Sequence, residues 1–186
     1  MDIPLVQTPH AVSPAGSMAQ QTAALESGQV VVYAFRTPDE ARSLALVLSE
    51  LCPHPEQAKI GLVELLINAV EHGNLGISYA QKTELVGQSA LSRELERRLL
   101  LPEYRDKTAT VQISRSGDAL HFLIQDQGEG FDWQPFMELD PNRFLHPHGR
   151  GIAWARQVAF SLVEYRGTGS EVLAVVDLSP ECPPSL

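Results

Sequence analysis

The sequence predicts an α+β fold, a two-layer α/β sandwich in which helices cover one face of a mixed, mostly antiparallel sheet. Three observations predict it. Strand-like segments come in adjacent pairs joined by short turns, helical segments are grouped apart from those pairs, and one helical stretch after residue 55 is apolar over most of its surface and must be covered. Composition agrees: 186 residues, 44% hydrophobic and 20% charged, suit one globular domain. With 14 Lys and Arg against 23 Asp and Glu the formal charge is −9, which argues against nucleic acid as a partner over any broad surface. No apolar run approaches the roughly 20 residues that span a bilayer, so no membrane segment is expected. No Lys or Arg precedes Arg36 and no apolar h-region is present, so a secretory signal is not expected either. Cys52 and Cys182 are too few for a disulfide framework and fit a reduced, cytoplasmic setting.

Residues 1–28 hold prolines, glycine, serines, glutamines and alanines without a sustained period, and read as a flexible or loosely docked tail, or as the remnant of a linker. The domain proper is expected over 29–178, with 179–186 as a C-terminal tail. Val30 to Phe35 is β-branched and aromatic, a strand. Thr37-Pro38-Asp39-Glu40 starts a helix with a hydroxyl cap, a proline in the first turn and acids beside it; this helix runs to about Leu51. A second start at His54-Pro55-Glu56 opens the apolar helix, expected to continue to about His72. Residues 77–107 are charged, with leucines at helical spacing, and read as an insert of one or two amphipathic helices. Strands follow at about 108–115 and 119–125 around the turn Ser116-Gly117-Asp118. A long Gly- and Pro-rich loop leads to a helix over Gly149 to Phe160. A closing hairpin, 161–165 and 171–178, turns at Gly167-Thr168-Gly169.

Three stretches carry chemistry. Glu64, Asn68 and His72 are spaced by four residues, so they stack along one helix face. A carboxylate and an amide within an apolar helix need partners, and their oxygens suit a hard cation such as Mg²⁺; Glu64 could also take a proton from a water or hydroxyl. The plain alternative is a helix edge facing solvent. Asp126-Gln127-Gly128-Glu129-Gly130-Phe131 follows a strand directly. Its carboxylate can accept from the exocyclic amine of adenine, where guanine would oppose acceptor to acceptor, and its glycines admit a ligand close to the backbone. The alternative is turn chemistry alone. Gly149-Arg150-Gly151-Ile152 opens a helix, where free N–H groups and Arg150 can hold phosphate. It is not a P-loop, because no G-x-x-x-x-G-K-[ST] occurs. His146 and His148 lack companions for a metal site, and Trp154 reads as core rather than site.

In combination and in this order the stretches resemble a known family. Glu64-Leu-Leu-Ile-Asn68-Ala-Val-Glu-His72-Gly73-Asn74 resembles the N-box of the GHKL (Bergerat-fold, histidine-kinase-like) ATPases, Asp126-x-Gly128-x-Gly130-Phe131 their first glycine box, and Gly149-Arg150-Gly151-Ile152 their second. The N-box is most similar to that of the anti-sigma-factor serine kinases of the RsbW and SpoIIAB type, and also resembles ATPase domains attached to SpoIIE-type phosphatases. The resemblance covers about Gln29 to Leu178. It implies ATP and Mg²⁺ as cofactors: Asn68 on the metal, Glu64 as catalytic base, Asp126 on the adenine amine, Gly128 and Gly130 as nucleotide floor, and Gly149, Arg150 and Gly151 around the phosphates. His72 and Asn74 would line the pocket, and residues of about 132–148 would form an ATP lid. Its apolar side chains would pack over nucleotide or against a partner. The matching segment of the last hairpin is Gly169-Ser170-Glu171-Val172, so a hydroxyl near adenine comes from Ser170 or is absent. The 77–107 insert exceeds the minimal kinases and is either a partner surface or a solvated insertion.

The resemblance implies transfer of the γ-phosphoryl of ATP to a Ser or Thr of a small STAS-type antagonist protein, with a sigma factor or similar regulator as second partner and a homodimer as one possible state. The alternative is a nucleotide-binding interaction module without kinase activity; a stand-alone ATP hydrolase is a third reading.

Overall fold

The computed structural model describes residues 18–138 and 149–179. Much of the expected lid, His146, His148, Cys182, the first 17 residues and most of the C-terminal tail lie outside the described residues. Among the described residues five strands form one sheet in the order β1-β2-β3-β5-β4, with β1 Val31–Phe35, β2 Ala109–Ser116, β3 Ala119–Gln125, β4 Leu162–Arg166 and β5 Glu171–Asp177. All four pairings among the described residues are antiparallel.

Strand register explains the core. The pairs Tyr33↔Val111, Val111↔Ile124, Ile124↔Val172 and Val172↔Tyr165 put one row of side chains across the whole sheet on one face. Ile113, Phe122, Ala174 and Val163 form the next row on that face. All are buried in the same cluster as Leu62, Leu65 and Leu66 of the apolar helix. The opposite face is largely polar (Thr110, Gln112, Gln125, Glu171), with Val32, Leu173 and Val175 buried among these residues.

Helix α2 (Pro38–Ser49) starts as its capping signature predicts: the Thr37 hydroxyl accepts from the Glu40 N–H, and the Glu40 carboxylate accepts from the Thr37 and Arg36 N–H groups. It packs on α3 (Pro55–Asn68). Ordered structure begins earlier than Gln29, because Met18–Glu26 forms a helix, α1. Only Gln21 and Leu25, four residues apart, are buried on it, and one such pair among alanines and glutamines leaves no periodic signal. The apolar helix does not stay α-helical to His72. From Ala69 to Asn74 it widens to i→i+5 bonding, with the Leu75 N–H donating to the Val70 carbonyl. The insert is two helices, α4 (Tyr79–Gly87) and α5 (Leu91–Leu100). The helix after the glycines begins at Gly151 (α6, Gly151–Trp154) and also widens into a π turn over Ala155–Ala159.

Candidate functional site

The three stretches meet. A single cavity of about 1520 Å³ is bordered by Glu64, Asn68 and His72, by Gly130 and Phe131, and by Gly149, Arg150 and Gly151. Gly130 at its floor, and Gly128 just behind it, approach other backbone too closely for a side chain. A Cβ on Gly128 would lie 2.2 Å from the Gly73 carbonyl oxygen, and one on Gly130, whose φ is +87°, would lie 2.1 Å from the Thr168 carbonyl oxygen. The Phe131 N–H donates to that same Thr168 carbonyl, which ties the glycine loop to the last hairpin.

Asp126 and Gly128 do not border the cavity itself; they lie directly behind it. A Cβ on Gly73 would sit 2.2 Å from the Asp126 Cγ, so the carboxyl is pressed against the end of the widened helix. The Gly128 N–H donates to Asp126 Oδ1 at 2.8 Å. Burial pushes the Asp126 carboxyl up to about 6, against the opposing pull of that N–H and of the Lys107 charge. Asn74 is not a lining residue either. It is buried, and its Oδ1 accepts from the Gln127 N–H at 2.7 Å, which fixes the loop after β3 to the end of the N-terminal stretch.

Glu64 lies on the opposite side of the cavity. A Cβ on Gly151 would fall 1.8 Å from its Oε2, so the absence of a side chain at 151 is what gives the carboxylate its place at the start of α6. Burial raises the Glu64 carboxyl above its ordinary range, Lys82 opposes this, and Glu71 adds to it. A raised carboxyl in a cleft is suited to accept a proton near neutral pH. Asn68, one turn on, faces the hydroxyl of Tyr165, which is buried and has no well-formed hydrogen bond; burial pushes that phenol upward, with Asn68 opposing. The Asn68 amide oxygen is a donor of the kind a hard divalent cation takes. No cluster of three or more His, Cys, Asp or Glu able to hold a metal by itself is present among the described residues.

His72 Nδ1 lies 2.5 Å from the Ile77 carbonyl oxygen. A carbonyl only accepts, so Nδ1 carries the proton and Nε2 is the lone-pair nitrogen. Burial lowers the His72 pKa, with Lys82 adding to this, so the ring is neutral at pH 7.

The sequence reading missed the wall. Tyr79, Lys82, Val86, Leu91, Tyr104 and Lys107, all from the 77–107 insert, border the cavity. A Cβ on Gly149 would meet the Tyr79 ring at 2.6 Å, and the Tyr79 ring also lies 5.2 Å from that of Phe136. The insert is therefore part of the pocket rather than a detached surface. A capping box signal, Ser78 with Gln81, was present in the sequence, but charge masked its inward face. Trp154, read as core, is 47% exposed and borders the cavity. The hydroxyl against the glycine floor is that of Thr168, while the Ser170 carbonyl accepts from the Asp126 N–H.

No protein-family model matches the chain. No curated protein matches it either. No described helix is long and apolar enough to cross a membrane.

Proposed function

We propose that the chain is a cytoplasmic ATP-dependent regulatory protein of the GHKL type, acting as an anti-sigma-factor serine/threonine kinase. The observation that carries this reading is the meeting of Glu64, Asn68, Gly130 and the 149–151 glycine turn on one cavity, with the Glu64 carboxylate seated against Gly151. Two features support the fit of Mg·ATP. Gly73, Gly130, Gly149 and Gly151 border the cavity without side chains, and the Asn68 amide oxygen suits Mg²⁺.

The bound nucleotide and metal supply the phosphoryl group and neutralise its charge. Asn68 would hold the metal through its amide oxygen. The Gly149–Gly151 turn and Arg150 orient the phosphates. Asp126, directly behind the Gly73 backbone that borders the cavity, would accept from the amine of an adenine seated against Gly73. Glu64 takes the proton of the acceptor hydroxyl as its oxygen bonds to the γ-phosphorus and the bond to the β–γ bridging oxygen breaks, leaving ADP.

The cavity exceeds the several hundred to about 1,000 Å³ typical of small-ligand sites. Beyond Glu64 it continues to Ile60 and Trp154, both about half exposed, and to Arg42. That extension supports a macromolecular hydroxyl donor, a small STAS-type antagonist protein, over water; a sigma factor is the second partner in this scheme. The test combines calorimetric titration with Mg·ATP and label transfer from γ-labelled ATP to an antagonist. Binding with transfer that vanishes in Glu64→Gln is expected. Binding without transfer in the natural chain would reassign it as a nucleotide-dependent interaction module, and absence of binding would overturn the reading.

A further inference from the structure

We propose that Lys82, carried by the insert helix α4, is a phosphate-binding residue of the site, and that Glu71 is its buried counter-ion. The inference rests on the adenine-nucleotide reading above. Lys82 Nζ lies 2.7 Å from Glu71 Oε2, and the two side chains are only 15% and 4% exposed. Both border the cavity. An ion pair withdrawn this far from water is costly to maintain for stability alone, since apolar side chains of similar size serve as well. A cation kept on the wall of an anion-binding cavity has a use that an apolar pair lacks.

The location fits the phosphate end. Glu71 follows Asn68 by three residues, close to the metal-binding amide in this reading. The Lys82 charge is felt at both Glu64 and His72, so it sits among the three polar groups of that helix. Arg150 belongs to the phosphate turn itself, and the remaining cations, Arg42 and Lys107, are placed differently. Arg42 pairs with Asp39 at the outer end, at 2.8 Å, and Lys107 lies over the Tyr104 ring and acts on Asp126. Glu64 and Glu71 both border the cavity, and Lys82 adds to Arg150 and the proposed metal the positive charge that offsets these carboxylates beside a polyphosphate. Tyr79, one turn earlier on α4, packs against Gly149, which sets the helix beside the phosphate turn.

Calorimetric titration of the full chain with AMP, ADP and ATP, each with Mg²⁺, tests this. Lys82→Met should leave AMP affinity within about twofold and weaken ATP by about tenfold or more, collapsing the ATP-to-AMP ratio. Lys82→Arg should restore most of that ratio. Glu71→Gln removes an anion near the phosphates and frees the lysine, so the ratio should hold or rise. A purely structural tie predicts that Glu71→Gln and Lys82→Met fall alike for all three nucleotides. An unchanged ratio in Lys82→Met, or a falling one in Glu71→Gln, would overturn the assignment while leaving ATP binding intact. If Lys82→Met does not fold, Glu71→Gln alone decides between the two. A natural chain that takes up none of the nucleotides overturns the adenine-nucleotide reading, and this inference with it.

Discussion

Replacing Asp126 by Asn should make the chain more stable near neutral pH and abolish the adenine preference proposed above. Asn is nearly isosteric and its amide oxygen can still accept from the Gly128 N–H, so packing against Gly73 is kept. What disappears is the cost of holding a charge there. Burial pushes this carboxyl from 3.8 to about 6. At about 1.4 kcal/mol per unit, that rise corresponds to about 3 kcal/mol. The side chain is only partly buried, and solvent screening reduces the figure to about 1–2 kcal/mol. The sign follows from proton binding. Between pH 3.8 and about 6 the folded chain binds more protons than the unfolded chain, so stability falls as pH rises through that window and the penalty is complete above it. Asp126→Asn should therefore melt about 2–8 °C higher than the natural chain at pH 7.5, and the two curves should converge toward pH 4. Thermal unfolding followed by circular dichroism at both pH values reads this directly. Titration with Mg·ATP and Mg·GTP reads the second half, with an adenine preference in the natural chain and none in the variant. A variant that melts no higher at pH 7.5, or higher by the same margin at pH 4, refutes the burial argument.

Gly128→Ala and Gly151→Ala should part company although each forces a close contact. The first meets the Gly73 carbonyl, backbone that cannot yield, and should cost about 1–3 kcal/mol in urea unfolding. The second meets the end of the Glu64 side chain, which can rotate away, so stability should stay within about 1 kcal/mol while label transfer to an antagonist is lost. Asn68→Ala should abolish the Mg²⁺ dependence of ATP binding in calorimetry; an unchanged dependence removes Asn68 from the metal. His72 should titrate below the ordinary histidine midpoint of 6.5, with the proton on Nδ1, as ¹⁵N NMR of the ring would show. Thr37→Ala should lower stability by about 1 kcal/mol, since both halves of its capping box are formed.

The sheet was legible because its strands obey a period of two and its turns are short. Ala109, Val111 and Ile113 announce one face before any pairing is known. The start of α2 was legible because Thr37, Pro38 and Glu40 are a local signal. Helix α1 was not, since its docking depends on two side chains and a distant sheet. The widened turns at 69–74 and 155–159 were not legible either, because i→i+5 bonding is imposed by what the helix packs on rather than by residue type. In the site, Glu64, Asn68 and the glycines stood out as polar or small residues where apolar ones were expected. Lys82 and Tyr79 did not, because a charged, leucine-spaced segment looks the same whether its polar face meets water or a cavity.

The cavity has a floor and a wall of different origin. The glycine contacts and the helix carrying Glu64 and Asn68 come from the layered sandwich, while the side facing them comes from one contiguous detour of about thirty residues between α3 and β2. The sandwich and the detour thus each supply one side of the same cavity. Changes along the detour can reshape what the cavity admits without disturbing the helix that carries Glu64 and Asn68.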